Sequence, residues 1–519
     1  MECPDYHGYE EFRNRTAKLQ QIRALGIEPY PHRYEPTHQL GAFGHRRDDL
    51  IIGTDEEAGA GKTTGVRVAG RLILFRAMGK NAFGQVQDET GRIQIMFNRD
   101  RTEVSGLPED SGIRPIKFIE KKLDLGDIVG VEGHLFRTRK GELTIFATEV
   151  TLLCKTLLPL PDKHGGLADK GIRYRKRWLD LITNPESAER LKTRSFLISK
   201  IRNYFERQGF MEVETPVLQP IYGGAEAEPF ISELNALHQT MYLRIAIEIS
   251  LKKLIVGGLS RIFEIGKVYR NEGLDRTHNP EFTMLESYAA YWDYNAVMTF
   301  TENLFAYLAK ELYGTTVIGP RRDKGGKKHL IDLKTPWKRL SMKDAIRQYG
   351  PIDPDAVDDQ AIRSELNGKI EAEKLNGAPR GKLIAYLFEA YVEHHLIQPH
   401  HIIDHPIETT PLCKLHRDPE LRREGLVERF ETFILGCELC NAYSELNDPE
   451  LQRQLLQRQR RQGGDDGADP MDEAFIEAIC QGMPPTGGLG IGIDRLVMLF
   501  TDAFSIRDVI YFPMMRPEE

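Results

Sequence analysis

Cysteine is scarce: six in 519 residues, too few for a disulfide framework and in keeping with a reducing compartment. Only Cys437 and Cys440 form a C-x-x-C pair, and no second pair completes a zinc set. Long hydrophobic runs are missing as well. No stretch reaches the roughly twenty apolar residues of a membrane helix, and the opening "MECPDYHGYEEFRNR" has no signal-peptide core. A cytoplasmic chain without a membrane partner is therefore expected. Excess charge is small, −7 overall with 28% charged residues, which argues against indiscriminate polyanion binding. Internal repeats are absent. So is a complete phosphate loop: Gly61-Lys62-Thr63 ends like one, but Glu56 stands where its first glycine must be. Five histidines between His394 and His405 match no usual ligand spacing, and Pro399 and Pro406 interrupt them.

The length implies two or three domains. Residues 10–25 carry Phe12, Leu19, Ile22 and Leu25 near helical spacing, and a proline-rich break and the linker "TDEEAGAGKTTG" follow. From Val66, five β-rich runs separated by turn pairs such as Thr90-Gly91 and Lys140-Gly141 predict a small barrel. Between Lys62 and Lys155, sixteen basic residues outnumber twelve acidic ones. With Phe83 and Phe97 among polar neighbours, that suits an OB barrel stacking single-stranded bases along a positive groove. A basic run, Lys170 to Arg177, has five cations and no acid, as a solvated linker or a nucleic-acid contact would. Beyond it helices and strands mix in an α+β pattern. One long helix, from about Ser187, turns Leu191, Phe196 (one step off the spacing), Ile198, Ile201 and Phe205 inward and stops at Gly209. The charged stretch "QLLQRQRRQGGDDGAD", residues 454–469, reads as an exposed helix running into a loop.

Three segments carry the chemistry. "RNEGLDRTHNPEFT", Arg270 to Thr283, lies between two strand-like runs and so reads as a hairpin loop. Arg270 can fork onto a carboxylate or phosphate, Glu272 can accept from an amino group, His278 can reach a phosphate tail and Phe282 offers a face to a base. In "RFETFILGCELCNAYSEL", a Leu435-Gly436 turn puts Phe433 opposite Glu438 and Glu431 opposite Cys440, so Glu431 and Glu438 emerge on one side. Two such carboxylates suit Mg²⁺. The same parity sends Cys437 and Cys440 to opposite faces, and places Asn441 and Glu445 away from Glu438 unless a bulge intervenes. In "GLGIGIDRLVMLF", the glycines permit a close approach, and Arg495 stands at a helix start, where the dipole favours anions. A phosphate partner explains that placement.

These segments, with "GFMEVETP", "LRIAIEISLK" and "CNAYSELND", resemble the motifs of class II lysyl-tRNA synthetases, in order across most of residues 60–517. The resemblance implies a class II antiparallel-sheet catalytic domain with helices, plus an N-terminal OB-fold anticodon-binding barrel. The expected division is 1–60 helix and linker, 61–155 barrel, 156–178 basic hinge and 179–519 catalytic domain. It further implies that Arg270 clamps the lysine carboxylate and α-phosphate, that Glu272, His278 and Asn279 hold ATP, and that Phe282 stacks on adenine. Glu431 and Glu438 match Mg²⁺ ligands, and Arg495 matches a γ-phosphate arginine. Gly224 and Glu248 match the α-amino site, while Glu286, Tyr288, Asn441 and Glu445 match the lysine pocket. Phe83 and Gln94 match anticodon-reading positions. The partners implied are ATP, L-lysine, tRNA(Lys) and a second copy of the chain. Two departures stand out: Ile247 where the family usually has proline, and Glu228 where it usually has arginine. Two alternatives share parts of the pattern: a lysyl ligase acting on a protein, which should lack the barrel, and a non-catalytic RNA-binding relative, which should have lost some of Arg270, Glu431, Glu438 or Arg495.

Overall fold

The computed structural model describes residues 5–44, 48–161, 167–462 and 471–517, in two compact units, Met1–Gly166 and Leu167–Glu519. Alternation of apolar and polar residues builds the first. Strands β1 (Gly65–Met78), β2 (Asn81–Gln87), β3 (Arg92–Asn98), a short β4 (Glu103–Val104), β5 (Ile128–Arg137) and β6 (Leu143–Cys154) follow one another. β1 pairs with β2 and β5, β2 with β3, and β5 with β6, while a parallel β3–β6 pairing closes a five-stranded barrel. Alternate residues such as Val66, Val68, Val86, Ile95, Val131 and Ile145 fill it. The expected N-terminal helix forms at Glu10–Ala24, and Ile22, Ile27, Leu40 and Phe43 join the barrel core. The supposed linker before the barrel contains a helix, Asp55–Gly59. Thr54 and Glu57 cap it reciprocally, and Ala58 is buried.

The second unit is built on an eight-stranded sheet. Its strands, with those of two small sheets, are β7 (Met211–Glu212), β8 (Leu218–Gln219), β9 (Ile231–Leu234), β10 (Gln239–Leu243), β11 (Arg261–Tyr269), β12 (Glu281–Ala290), β13 (Val317–Arg322), β14 (Lys328–Asp332), β15 (Lys338–Ser341), β16 (His400–Pro406), β17 (Leu426–Ile434), β18 (Cys437–Ser444) and β19 (Thr486–Gly492). The large sheet runs β15-β16-β17-β18-β19-β12-β11-β7, antiparallel except at the β15–β16 and β11–β7 pairs. Residues 170–177, read from sequence as a basic linker, instead form a helix and the start of a second one. Arg177 is buried there because it pairs with Asp180 at 2.8 Å and donates to the carbonyls of Arg507, Ile510 and Tyr511. No helix among the described residues is long and apolar enough to cross a membrane.

One sheet face is covered by the helices Pro185–Arg207, Tyr294–Tyr313 and Ile493–Thr501, packing Leu197, Ile201, Phe205, Leu304 and Val497 against Leu285, Leu489, Ile491 and Phe430. A buried polar link crosses this layer. Arg194 donates to Asp494 Oδ1 at 2.5 Å and to the Thr283 hydroxyl at 2.9 Å, while Asp494 Oδ2 accepts the Thr283 N–H at 2.7 Å. It fixes where the helix beginning at Ile493 meets β12, and therefore where Arg495 points. Truncating one partner of a buried ion pair strands the other's charge. Arg194→Ala should therefore lower the unfolding free energy by about 3–5 kcal/mol. All three tryptophans, Trp178, Trp292 and Trp337, lie in the second unit, so urea unfolding followed by tryptophan fluorescence reads this change.

Candidate active site

The other sheet face carries the charged residues, and pairing register aligns them in rows. Across one row stand Glu286 on β12, Gly490 on β19, Asn441 on β18 and Glu431 on β17. The next holds Tyr288, Gly488, Tyr443 and Arg429. Paired residues share a face, so these side chains converge over β19, which has glycine at both facing positions, Gly488 and Gly490. A Cβ at Gly490 would lie 2.9 Å from Met284 Cε, and one at Gly488 would overlap the Glu445 carboxylate and sit 2.7 Å from Tyr288 Cε1.

The β17–β18 hairpin turns at Leu435 and Gly436 as expected, both in the left-handed region with φ 57° and 67°. Phe433 faces Glu438 as expected, but Glu431 faces Asn441 and not Cys440. Leu439 is an extra residue, and this bulge reverses the parity beyond it. Two expectations fall with it. Asn441 and Glu445 share the face of Glu438, and Cys437 and Cys440 both turn to the apolar side, where burial pushes both thiols up. The histidine-rich segment is likewise structural. His400, His401 and His405 are buried on β16, with His401 Nε2 3.3 Å from Glu302. No cluster of three or more His, Cys, Asp or Glu able to hold a metal occurs among the described residues.

Two adjoining cavities share Arg270, Met284, Asn441 and Gly490. The first, about 550 Å³, is lined by Gly224, Glu248, Glu286, Tyr288 and Glu445 among others. Gly224 has φ 88°, which disfavours a side chain, and an added Cβ would lie 3.0 Å from Ala246 Cβ. Glu286 accepts the Ile247 N–H at 2.9 Å and the Tyr288 hydroxyl at 3.1 Å. Proline at 247 could not make the first bond, so that departure adds a donor to the pocket wall. Burial, reinforced by Glu248, raises the Glu286 carboxyl to about 7. Glu248 accepts from the Tyr443 hydroxyl at 2.6 Å. The Glu228 side chain is exposed, and its carbonyl accepts the Asn271 N–H at 2.8 Å, tying it to the charged loop by backbone alone.

The second cavity, about 250 Å³, is lined by Glu272, His278, Asn279, Phe282, Glu438 and Arg495. Here the loop between β11 and β12, the hairpin read from sequence, presents its cations. Arg270 lies 5.2 Å from the Phe282 ring centroid. Arg495 reaches the Glu438 carbonyl at 3.0 Å and His278 Nε2 at 3.2 Å. Asp275 holds the other ring nitrogen of His278 at 2.7 Å. Burial would raise Asp275, but that bond and the Thr277 and His278 N–H groups bring it down to about 2. Asn279 donates to the Glu281 carbonyl at 2.6 Å and keeps a buried Oδ1 without a hydrogen-bond partner. Burial and the neighbouring Glu431 push the Glu438 carboxyl up, against the opposing pull of Arg495, which lies 3.4 Å from it.

Arg429, unrecognised in the sequence, donates to Glu431 at 2.6 Å and to Asn441 at 2.9 Å. Its place two residues before Glu431 on the same strand face was a usable signal. In the barrel, Phe83 and Gln94 both lie on the outer face, on β2 and β3, and Gln94 donates to Thr144 at 2.9 Å. Phe97 is core.

Residues 169–516 match the family described as tRNA synthetases class II (D, K and N), and residues 66–153 match the OB-fold nucleic acid binding domain. A lysine–tRNA ligase of Chlamydia caviae is 56% identical over 99% of both chains. That of Moorella thermoacetica is 46% identical over 97% of both. That of Trichormus variabilis is 44% identical over 97% of this chain and 87% of its own. The chain belongs to the lysine–tRNA ligase family of class II tRNA synthetases, with an OB-fold barrel joined to the class II catalytic unit.

Proposed function

We propose that the chain activates L-lysine with ATP and transfers it to tRNA(Lys) in the cytoplasm. One observation carries the substrate reading: three carboxylates, Glu248, Glu286 and Glu445, and the Tyr288 hydroxyl stand buried at one cavity end, and Arg270 stands where that cavity opens into the next. An amino acid with two ammonium groups and one carboxylate has the complementary charges. Aspartate would need a cation at the far wall.

In the first step a lysine carboxylate oxygen attacks the α-phosphorus. The bond from that phosphorus to the bridging oxygen breaks, and pyrophosphate leaves. In the second, the terminal hydroxyl of tRNA attacks the adenylate carbonyl and AMP departs. Arg270 grips the carboxylate and α-phosphate, Glu248 and Gly224 take the α-amino group, and Glu286, Tyr288, Asn441 and Glu445 take the side chain. Phe282 stacks the adenine, Glu272, His278 and Asn279 hold the nucleotide, and Arg495 meets the γ-phosphate. No side chain acts as a nucleophile; catalysis is positioning plus neutralisation of charge growing on phosphate. Glu431 and Glu438 fit a Mg²⁺ site of the kind completed by substrate phosphates, and the ion would supply charge neutralisation there.

In the barrel, Phe83 and Gln94 read the anticodon from the outer face, by stacking and by amide hydrogen bonds. A homodimer is proposed because β7 to β10 leave Met211, Leu218, Ile231 and Leu237 exposed, apolar surface of the kind that marks an interface.

Amino-acid-dependent ATP–pyrophosphate exchange with a panel of amino acids should respond to lysine; exchange driven by aspartate or asparagine in its place would overturn the substrate reading. Gly488→Ala should displace Glu445 and Tyr288, and a displacement of about 1 Å is enough to cost on the order of 10²-fold. The loss should fall in kcat/KM for lysine, with the KM for ATP little changed.

A further inference from the structure

One buried cation in the catalytic unit has no part in the roles above. Lys252 lies one turn after Glu248 on the helix Glu248–Val256, and its side chain is 0% exposed. Its ammonium stands 2.5 Å from Glu248 Oε1 and pairs with Glu445 Oε2. The rings of Tyr443 and Phe475 complete the enclosure, with centroids 5.5 and 5.9 Å away. Burial acts to discharge such a lysine, but the two carboxylates outweigh it and raise its pKa. Lys252 is therefore a charged ammonium wedged behind two of the three carboxylates of the first cavity.

Charge counting gives this placement a meaning. Three carboxylates crowded in one buried pocket repel one another, and without a cation one of them would take up a proton. With all three ionised around a bound dication, Lys252 offsets one of the three negative charges, leaving two for the ligand. A diamino acid brings two ammonium groups, while its carboxylate answers to Arg270, so no buried charge is left unmatched. A neutral side chain leaves one carboxylate unpaired. A fold-stabilising ion pair would need only one acid and could sit anywhere in the core. This one spans the two glutamates that reach the cavity from different elements, the helix and the residue following β18, and so sets their separation as well as their charge.

We propose that Lys252 is a positioning and specificity-determining residue, an internal ammonium that fixes Glu248 and Glu445 and sets the pocket to accept a dicationic amino acid. This rests on the reading of the first cavity as the lysine site. Lys252→Met and Lys252→Gln, assayed by lysine-dependent ATP–pyrophosphate exchange, test it. Both variants should raise the KM for lysine roughly tenfold or more, as loss of one partner of a buried charge pair does, while the KM for ATP stays within about twofold of wild type. Should the methionine variant fail to fold, the glutamine variant, which keeps a donor at similar depth, carries the test. An unchanged lysine KM in a folded variant overturns the proposal. So does an equal rise in both KM values with a lowered melting temperature, the outcome of a purely structural lysine. Absence of lysine-dependent exchange in the wild-type protein would instead defeat the underlying reading of the site, and the proposal with it.

Discussion

Close approach of like charges is the constraint on which the catalytic unit turns. Glu286 and Tyr288 come from β12, Asn441 and Tyr443 from β18, and β19 runs between them. Any side chain at Gly488 or Gly490 would fill the space where they meet. The glycines thus clear a cavity in the middle of a sheet, and the strands on either side supply its chemistry. What keeps the crowded acids in place is a set of fixed donors: the Ile247 N–H and Tyr288 on Glu286, and Tyr443 and Lys252 on Glu248. Buried carboxylates hold a charge only when such donors are supplied in advance.

The second cavity interleaves cations with carboxylates, Glu272 and Glu438 among them. Arg270, His278 and Arg495 gather at the second cavity, where Asp275 aims His278, and the Glu438 carbonyl and His278 aim Arg495. The Arg194–Asp494–Thr283 link shows how deep that aiming goes, since a residue three hundred positions earlier in the chain sets the start of the helix that carries Arg495. On the proposed reading, the buried carboxylates at one end and Arg270 at the mouth of the first cavity orient an amino acid so that its carboxylate meets the phosphates. Orientation of this kind is most of what such a reaction requires.

Much of this was legible in the sequence. Alternating runs gave the barrel strands, the charged loop from Arg270 to Thr283 sits between the paired strands expected, and the Leu435-Gly436 turn was read correctly from two residues. Parity past that turn was not, because the bulge at Leu439 is a backbone event and leucine carries no mark of one. That one extra residue decides whether Asn441 and Glu445 face the site or the core. Arg429 and Lys252 were missed for a different reason. Their partners in the structure are other site residues, Glu431 and Asn441 for Arg429 and Glu248 and Glu445 for Lys252, so their meaning appears only when those partners are brought together from separate elements. The basic run at 170–177 misled because density of charge says nothing about burial; Arg177 is internal by virtue of carbonyls more than three hundred residues away.

On the proposed reading, the far wall of the first cavity is built for a second ammonium group. Calorimetric titration with L-lysine and with its analogue bearing a hydroxyl in place of the ε-ammonium tests it most directly. The analogue, which leaves a buried carboxylate unpaired, should lose about 3–5 kcal/mol of binding free energy, on the order of a hundredfold or more in Kd. Equal affinity for the two ligands would contradict it.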